Sequence, residues 1–152
     1  MSSRIVPPPV GNIVDVAGVE LVRVPRIHDY RGSLVAREVG KGLPFVPQRC
    51  FLIFDCPAPH LRGEHAHRRC AQFLVCARGS VVALVDDGFR RGEVTLDDPT
   101  LGLHMPPMTW GTQHRYSADA LLIVFASHPY DADDYIRDYD SFSALARDRE
   151  GA

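Results

Sequence analysis

A chain of 152 residues that is 45% hydrophobic and 24% charged has the make-up of one ordinary globular domain with a single core. Its net charge of −2 gives no general attraction to nucleic acid or to an acidic membrane surface. No apolar stretch approaches the roughly 20 residues that cross a bilayer, and no basic segment followed by an apolar run opens the chain, so a cytoplasmic protein is expected.

In chain order, residues 1–10, with Pro7, Pro8 and Pro9, read as a loose or extended arm. From Val14 onward short β-rich runs dominate: Val19 to Val24, Ser33 to Val39, Arg49 to Phe54, Gln72 to Ala77, Ser80 to Val85, Gly92 to Leu96 and Leu121 to Phe125. Gly, Pro, Asp or Asn bounds each run, and their spacing predicts an all-β sandwich or barrel. Gly79 and Gly88 supply the backbone freedom for two tight turns. Ser80 to Val85 is apolar on both faces, as a strand in mid-sandwich should be. A single short helix is expected from Ser141 to Arg149, with Phe142, Leu145 and Ala146 on one side. No linker divides the chain, so residues 1–152 read as one domain. Cys50, Cys56, Cys70 and Cys76 lie in apolar contexts without C-x-x-C spacing and are expected to be buried free thiols. A sandwich of this size leaves edges to cover, and Val14 to Val24 could pair with a second copy. The expected assembly is a homodimer with exchanged N-terminal strands.

The densest chemistry is Arg62-Gly63-Glu64-His65-Ala66-His67. Histidines at i and i+2 of an extended segment share a face, whereas Glu64 alternates away. After His67 come four residues, then Gln72, then six more before Gly79. That spacing follows the first cupin motif, except that Gln72 stands where metal-binding cupins carry Glu. Glutamine is a poor ligand for hard or borderline cations, and His114 is off register for the second motif. A metal held by His65 and His67 together is therefore not expected, nor any cofactor. Without a metal, a neutral inward-facing imidazole pair suits proton transfer near pH 7.

Further stretches extend the pattern: Asp29-Tyr30-Arg31-Gly32-Ser33-Leu34, Gln48-Arg49, Asp86-Asp87-Gly88, Gly102-Leu103, Trp110, and Tyr130-Asp131 with Asp134-Tyr135-Ile136-Arg137-Asp138-Tyr139. Together with R-G-x-H-A-H they make the chain resemble the dTDP-4-keto-6-deoxyhexose 3,4-ketoisomerases, the WxcM-like sugar-isomerase cupins, from about Val14 to Phe142. The resemblance implies a cupin-type jelly roll, a strand-exchanged dimer, no metal requirement and a dTDP-linked keto-sugar substrate. It implies that His65 and His67 transfer protons and that Arg49 and Arg62 meet the diphosphate or a developing oxyanion. Gln72, Trp110 and Tyr135 are further candidates for substrate binding. The family's usual tyrosines after Arg49 are replaced by Phe51 and Leu52, which leaves Tyr30, Tyr135 or His114 to fill that role. Competing readings are a 3,5-epimerase of a related 4-keto sugar, a non-catalytic sugar-nucleotide-binding cupin and, least in keeping with Gln72, a metal-dependent dioxygenase.

Overall fold

The computed structural model describes residues 5–57 and 59–150; the first four residues of the expected arm lie outside it. Among the described residues, fifteen short strands and one α-helix follow in chain order. They begin with β1 (Val10–Asn12), β2 (Glu20–Arg23), β3 (Ile27–Asp29), β4 (Gly32–Leu34), β5 (Glu38–Val39), β6 (Gly42–Leu43), β7 (Arg49–Phe54) and β8 (Arg62–His67). β9 (Gln72–Arg78), β10 (Val81–Asp86), β11 (Arg91–Leu96), β12 (Leu101–Met105), β13 (Trp110–His114), β14 (Leu121–Ala126), β15 (Tyr135–Ile136) and α1 (Tyr139–Glu150) complete the chain.

Two sheets face each other. One has the order β1-β11-β10-β13-β8-β15, the other β2-β12-β9-β14-β7. Sequence neighbours repeatedly lie in different sheets, the crossing pattern of a jelly roll. Between them Leu74, Leu103 and Leu122 from the five-stranded sheet meet Val81, Ala83, Val85 and Leu96 from the six-stranded one, all at most 1% exposed. The expected β-sandwich with a C-terminal helix is what forms. β10 is buried along nearly its whole length because β11 and β13 flank it. Gly79, at φ +68, turns the chain between β9 and β10.

Several local expectations are corrected. Ser33 to Val39 is not one strand: the chain breaks after β4 and resumes at β5. The break sends Arg37 across to the carbonyls of Gly42 (2.8 Å), Thr100 (2.9 Å) and Val22 (3.2 Å), which a continuous strand could not cap. Val19 to Val24 is shorter than expected: its strand β2 spans Glu20–Arg23 and pairs with β12, Leu21 opposite Leu103. All four cysteines are free, but Cys50 is exposed because residues of the edge strand β7 alternate, and Cys56, two residues past that strand, is half-buried. The arm is extended where it ends, as β1 lies parallel to β11. The helix starts two residues before its expected first residue. The Asp138 carboxylate accepts from the Ser141 backbone N–H at 2.9 Å and closes its first turn. Among the described residues, no helix is long and apolar enough to cross a membrane.

Candidate active site

β8 delivers the histidines through an irregular strand. Against β13, His65 pairs with Gly111 and Gly63 with Thr112, so Glu64 is an extra residue with no opposite number. Gly63 at φ +88 and Glu64 at φ +59 take up the bulge. A Cβ on Gly63 would sit 2.8 Å from the Gly111 carbonyl oxygen, so only glycine fits there. The bulge has a chemical consequence. In a regular strand residues 62 and 65 face opposite sides; here Arg62 and His65 line the same cavity, with Gln113 between them in register. Glu64 turns to the outer face of the sheet, as alternation suggested.

The cavity has a volume of 160 Å³. Phe51, Ile53, Leu74 and Val124 of the five-stranded sheet form its apolar side, and Arg62, His65, Gln72, Gln113 and Tyr135 its polar side. Arg49 and Gln72 flank Ala126 in register, so they share the face that looks toward the histidines. Gln72 makes no hydrogen bond to either imidazole among the described residues.

The two imidazoles stand edge to face, their centroids 4.9 Å apart. His67 is the deeper of the two, 5% exposed. Its Nδ1 lies 3.0 Å from Asp134 Oδ2. Asp134 is fixed by the backbone N–H groups of Arg69 (2.7 Å) and Cys70 (3.2 Å). A carboxylate only accepts, so Nδ1 carries the proton and Nε2 a free lone pair. That Nε2 is buried and, among the described residues, without a hydrogen-bond partner. Burial, with His65 nearby, lowers the His67 pKa to about 4 against the pull of Asp134. Burial also lowers that of His65; the Gly63 carbonyl opposes this, and Arg137 and Arg49 reinforce it. Both rings are therefore neutral at pH 7 and able to accept a proton.

Tyr135 packs beside both rings, 4.8 Å from His65 and 4.3 Å from His67. The Arg137 guanidinium lies 4.3 Å from the centre of the Tyr135 ring. Tyr130 follows at 5.6 Å, with the Arg49 guanidinium 5.7 Å from its centre. Arg49 Nε is buried and has no hydrogen-bond partner among the described residues.

His65, His67, Arg49, Arg62, Gln72 and Tyr135 thus converge. Trp110 does not. It packs on the opposite face of the sheet, 5.3 Å from Tyr139 and 5.8 Å from Phe142, because β13 turns residues 110 and 112 outward when 111 and 113 face the cavity. Of the three groups considered for the missing strand phenol, Tyr30 is 97% exposed in a hairpin turn and His114 faces outward near Glu93. Only Tyr135 adjoins the histidines. Asp134, Gln113 and Tyr130 were not singled out as site residues from the sequence. The Asp134-to-Tyr139 motif was the available signal for the first of them.

The family model FdtA, described as WxcM-like, C-terminal, matches residues 17–147. The chain belongs to this family. Within it, TDP-4-oxo-6-deoxy-alpha-D-glucose-3,4-oxoisomerase of Aneurinibacillus thermoaerophilus is 44% identical over 123 residues, covering 81% of this chain and 88% of the relative. A histidine-to-asparagine mutant of the 3,4-ketoisomerase QdtA from Thermoanaerobacterium thermosaccharolyticum, in complex with TDP-4-keto-6-deoxyglucose, superposes with a TM-score of 0.85. It is 30% identical, over 88% of this chain and 97% of that one. The WlaRB TDP-quinovose 3,4-ketoisomerase of Campylobacter jejuni gives 0.81 at 36% identity, over 85% and 99%. The WxcM-like jelly roll expected from the motifs is the fold of this chain.

Proposed function

We infer that the chain is a sugar-nucleotide isomerase that moves the carbonyl of a dTDP-4-keto-6-deoxyhexose from C4 to C3. The observation that carries this reading is the neutral His65–His67 pair, half-buried and buried respectively, with one imidazole nitrogen unpartnered among the described residues, on the fold of ketoisomerases that are 30–44% identical. One imidazole takes the proton from C3, and the electrons of that C–H bond form a C3=C4 enediolate. Protonation at C4 and loss of the C3 hydroxyl proton then leave the ketone at C3. C3 is oxidised as C4 is reduced, and each proton removed is matched by one returned, so no external oxidant or reductant enters the balance.

His65 acts from the cavity wall, and His67 with Asp134 acts beside it. Asp134 holds the tautomer with Nε2 free and stabilises the imidazolium when it forms. Arg62 at the mouth and Arg49 opposite supply fixed positive charge to the diphosphate or the enediolate oxygen. Gln72 and Tyr135 contact sugar hydroxyls. The working unit is a homodimer in which β2 of each protomer takes the β12 edge of the other, in the register it holds in cis; light scattering that finds a monomer at micromolar concentration would contradict this.

Incubation with dTDP-4-keto-6-deoxyglucose in deuterated water tests the reaction. The expected product has its carbonyl at C3 and deuterium at C4. Deuterium at C3 and C5 without carbonyl migration would make the chain an epimerase, and no exchange would make it a binder.

A further inference from the structure

The His67–Asp134 pair has a neighbour that isomerisation does not use. β8 ends at His67 and the chain turns through Arg68 and Arg69, which brings Cys70 back against the same carboxylate. The Cys70 backbone N–H donates to Asp134 Oδ2 at 3.2 Å. Ligating atoms of His67, Cys70 and Asp134 all lie within 4.8 Å of one another, and all three residues are buried. An imidazole, a thiol and a carboxylate form a donor set that borderline-soft divalent cations such as Zn²⁺ take in tetrahedral sites. Bond lengths of ~2.0–2.3 Å put such donors ~3.3–3.8 Å apart. The His67–Asp134 edge is already at 3.0 Å, and rotation of the Cys70 side chain closes the rest.

Little opposes the ion. The Cys70 thiol has weak partners, the Ala71 carbonyl at 3.3 Å and Ser127 Oγ at 3.9 Å. Asp134 Oδ1 accepts one backbone N–H, and a carboxylate oxygen has room for two donors. Asp134 also forms part of the wall of a second cavity, with Asp131, His128 and Tyr130, which offers an approach. The competing cation is Arg69, 2.9 Å from Asp131 and 3.9 Å from Asp134, and its side chain is 62% exposed and free to swing out.

We propose that His67, Cys70 and Asp134 bind one thiophilic divalent cation per chain, and that its binding switches the enzyme off. The ion takes the Nδ1 lone pair and the thiolate, the thiol proton leaves to solvent, and the ring proton passes from Nδ1 to Nε2, so Nε2 becomes an N–H donor and ceases to be a base. This set differs from the H-x-H pair of metal-binding cupins, because it uses only the second histidine and takes its other donors from the following turn and from the segment before β15.

Cd²⁺ is the probe for binding, since a cadmium–thiolate bond gives a near-ultraviolet charge-transfer band. One equivalent of Cd²⁺ added to the full chain should produce the band, and Zn²⁺ should compete for the site. Cys70→Ala should abolish it, Asp134→Asn should weaken binding by roughly tenfold or more, and Cys50→Ser with Cys56→Ser should leave it intact. Cys70→Ser, with its near-native size, controls for the fold through an unchanged melting temperature. Turnover should fall with Zn²⁺ in the wild type, while Cys70→Ala keeps its basal rate and resists. A band that survives Cys70→Ala, no band in the wild type, or equal Zn²⁺ inhibition of both proteins would overturn the proposal. The cadmium band does not depend on the isomerase reading, so failure of that reading would leave the spectroscopic result standing.

Discussion

Asp86 and Asp134 are both at most 4% exposed, and the six-stranded sheet separates their surroundings. Asp86 lies under the C-terminal helix, where Gly88 N–H (2.6 Å), the Arg91 guanidinium (2.9 Å) and the Tyr139 hydroxyl (2.6 Å) all donate to it. Its charge is matched by a permanent cation, so the cluster has nothing left to offer a ligand. Asp134 is matched instead by a neutral imidazole whose other nitrogen has no partner among the described residues. A buried carboxylate with every donor in place is a clamp. One tied to a titratable ring with a bare nitrogen is a base held ready. The outer face of the sheet is built for cohesion and the inner face for proton transfer.

The largest expected separation comes from removing each side's central group. Replacing His65 or His67 by Asn should slow turnover by roughly 10²–10⁴-fold, while KM moves little because nucleotide and diphosphate contacts are retained. An exchange rate in the double variant equal to wild type would break the assignment of the inner face. Asp86→Ala should do the reverse: leaving Arg91 without its anion should cost about 3–5 kcal/mol of stability, read by denaturant unfolding, with turnover per folded molecule unchanged.

The pH dependence sharpens the contrast. The folded-state pKa of His67, about 4, lies below its unfolded value near 6.5, so the unfolded chain binds the extra proton first. Stability should be full above pH 6.5 and fall, by on the order of 3 kcal/mol, as pH drops toward 4. Below that, Asp134 adds a further loss. Burial raises its pKa, but the Arg69 amide, the His67 hydrogen bond and the Cys70 amide outweigh it and hold the pKa below the usual value. A melting temperature that stays flat from pH 7 to 5 in the wild type, or falls identically in a His67→Phe variant, would count against this origin. Asp134→Asn should have the smallest effect, about 10–10²-fold on turnover. It should also shift the pH–rate profile to lower pH, which a purely structural role would not do.

Much of the fold was legible because β-rich runs bounded by turn residues report a local preference that packing then agrees with; Arg49 to Phe54 appears as predicted. The failures come where distant partners overrule local pattern. Ser33 to Val39 reads as a strand, yet the need to cap three carbonyls with Arg37 breaks it. Leu101–Met105 and Trp110–His114 carry weaker local signals and become strands because sheet neighbours supply their hydrogen bonds. Trp110 looked available for a ligand, and its neighbours in the helix claimed it.

By itself the sequence determined that His65 and His67 share a face, that Gly79 turns the chain, and that the region from Val14 to Phe142 carries the family's motifs. These are properties of spacing and of residue type. Only the tertiary structure decided that the Glu64 bulge brings Arg62 to the same cavity as His65, that Asp134 stands behind His67 from 67 positions away, and that Cys70 joins them. The physical reason is that strand alternation is fixed within a few residues, whereas the partner of a buried polar atom is fixed by whichever segment closes over it.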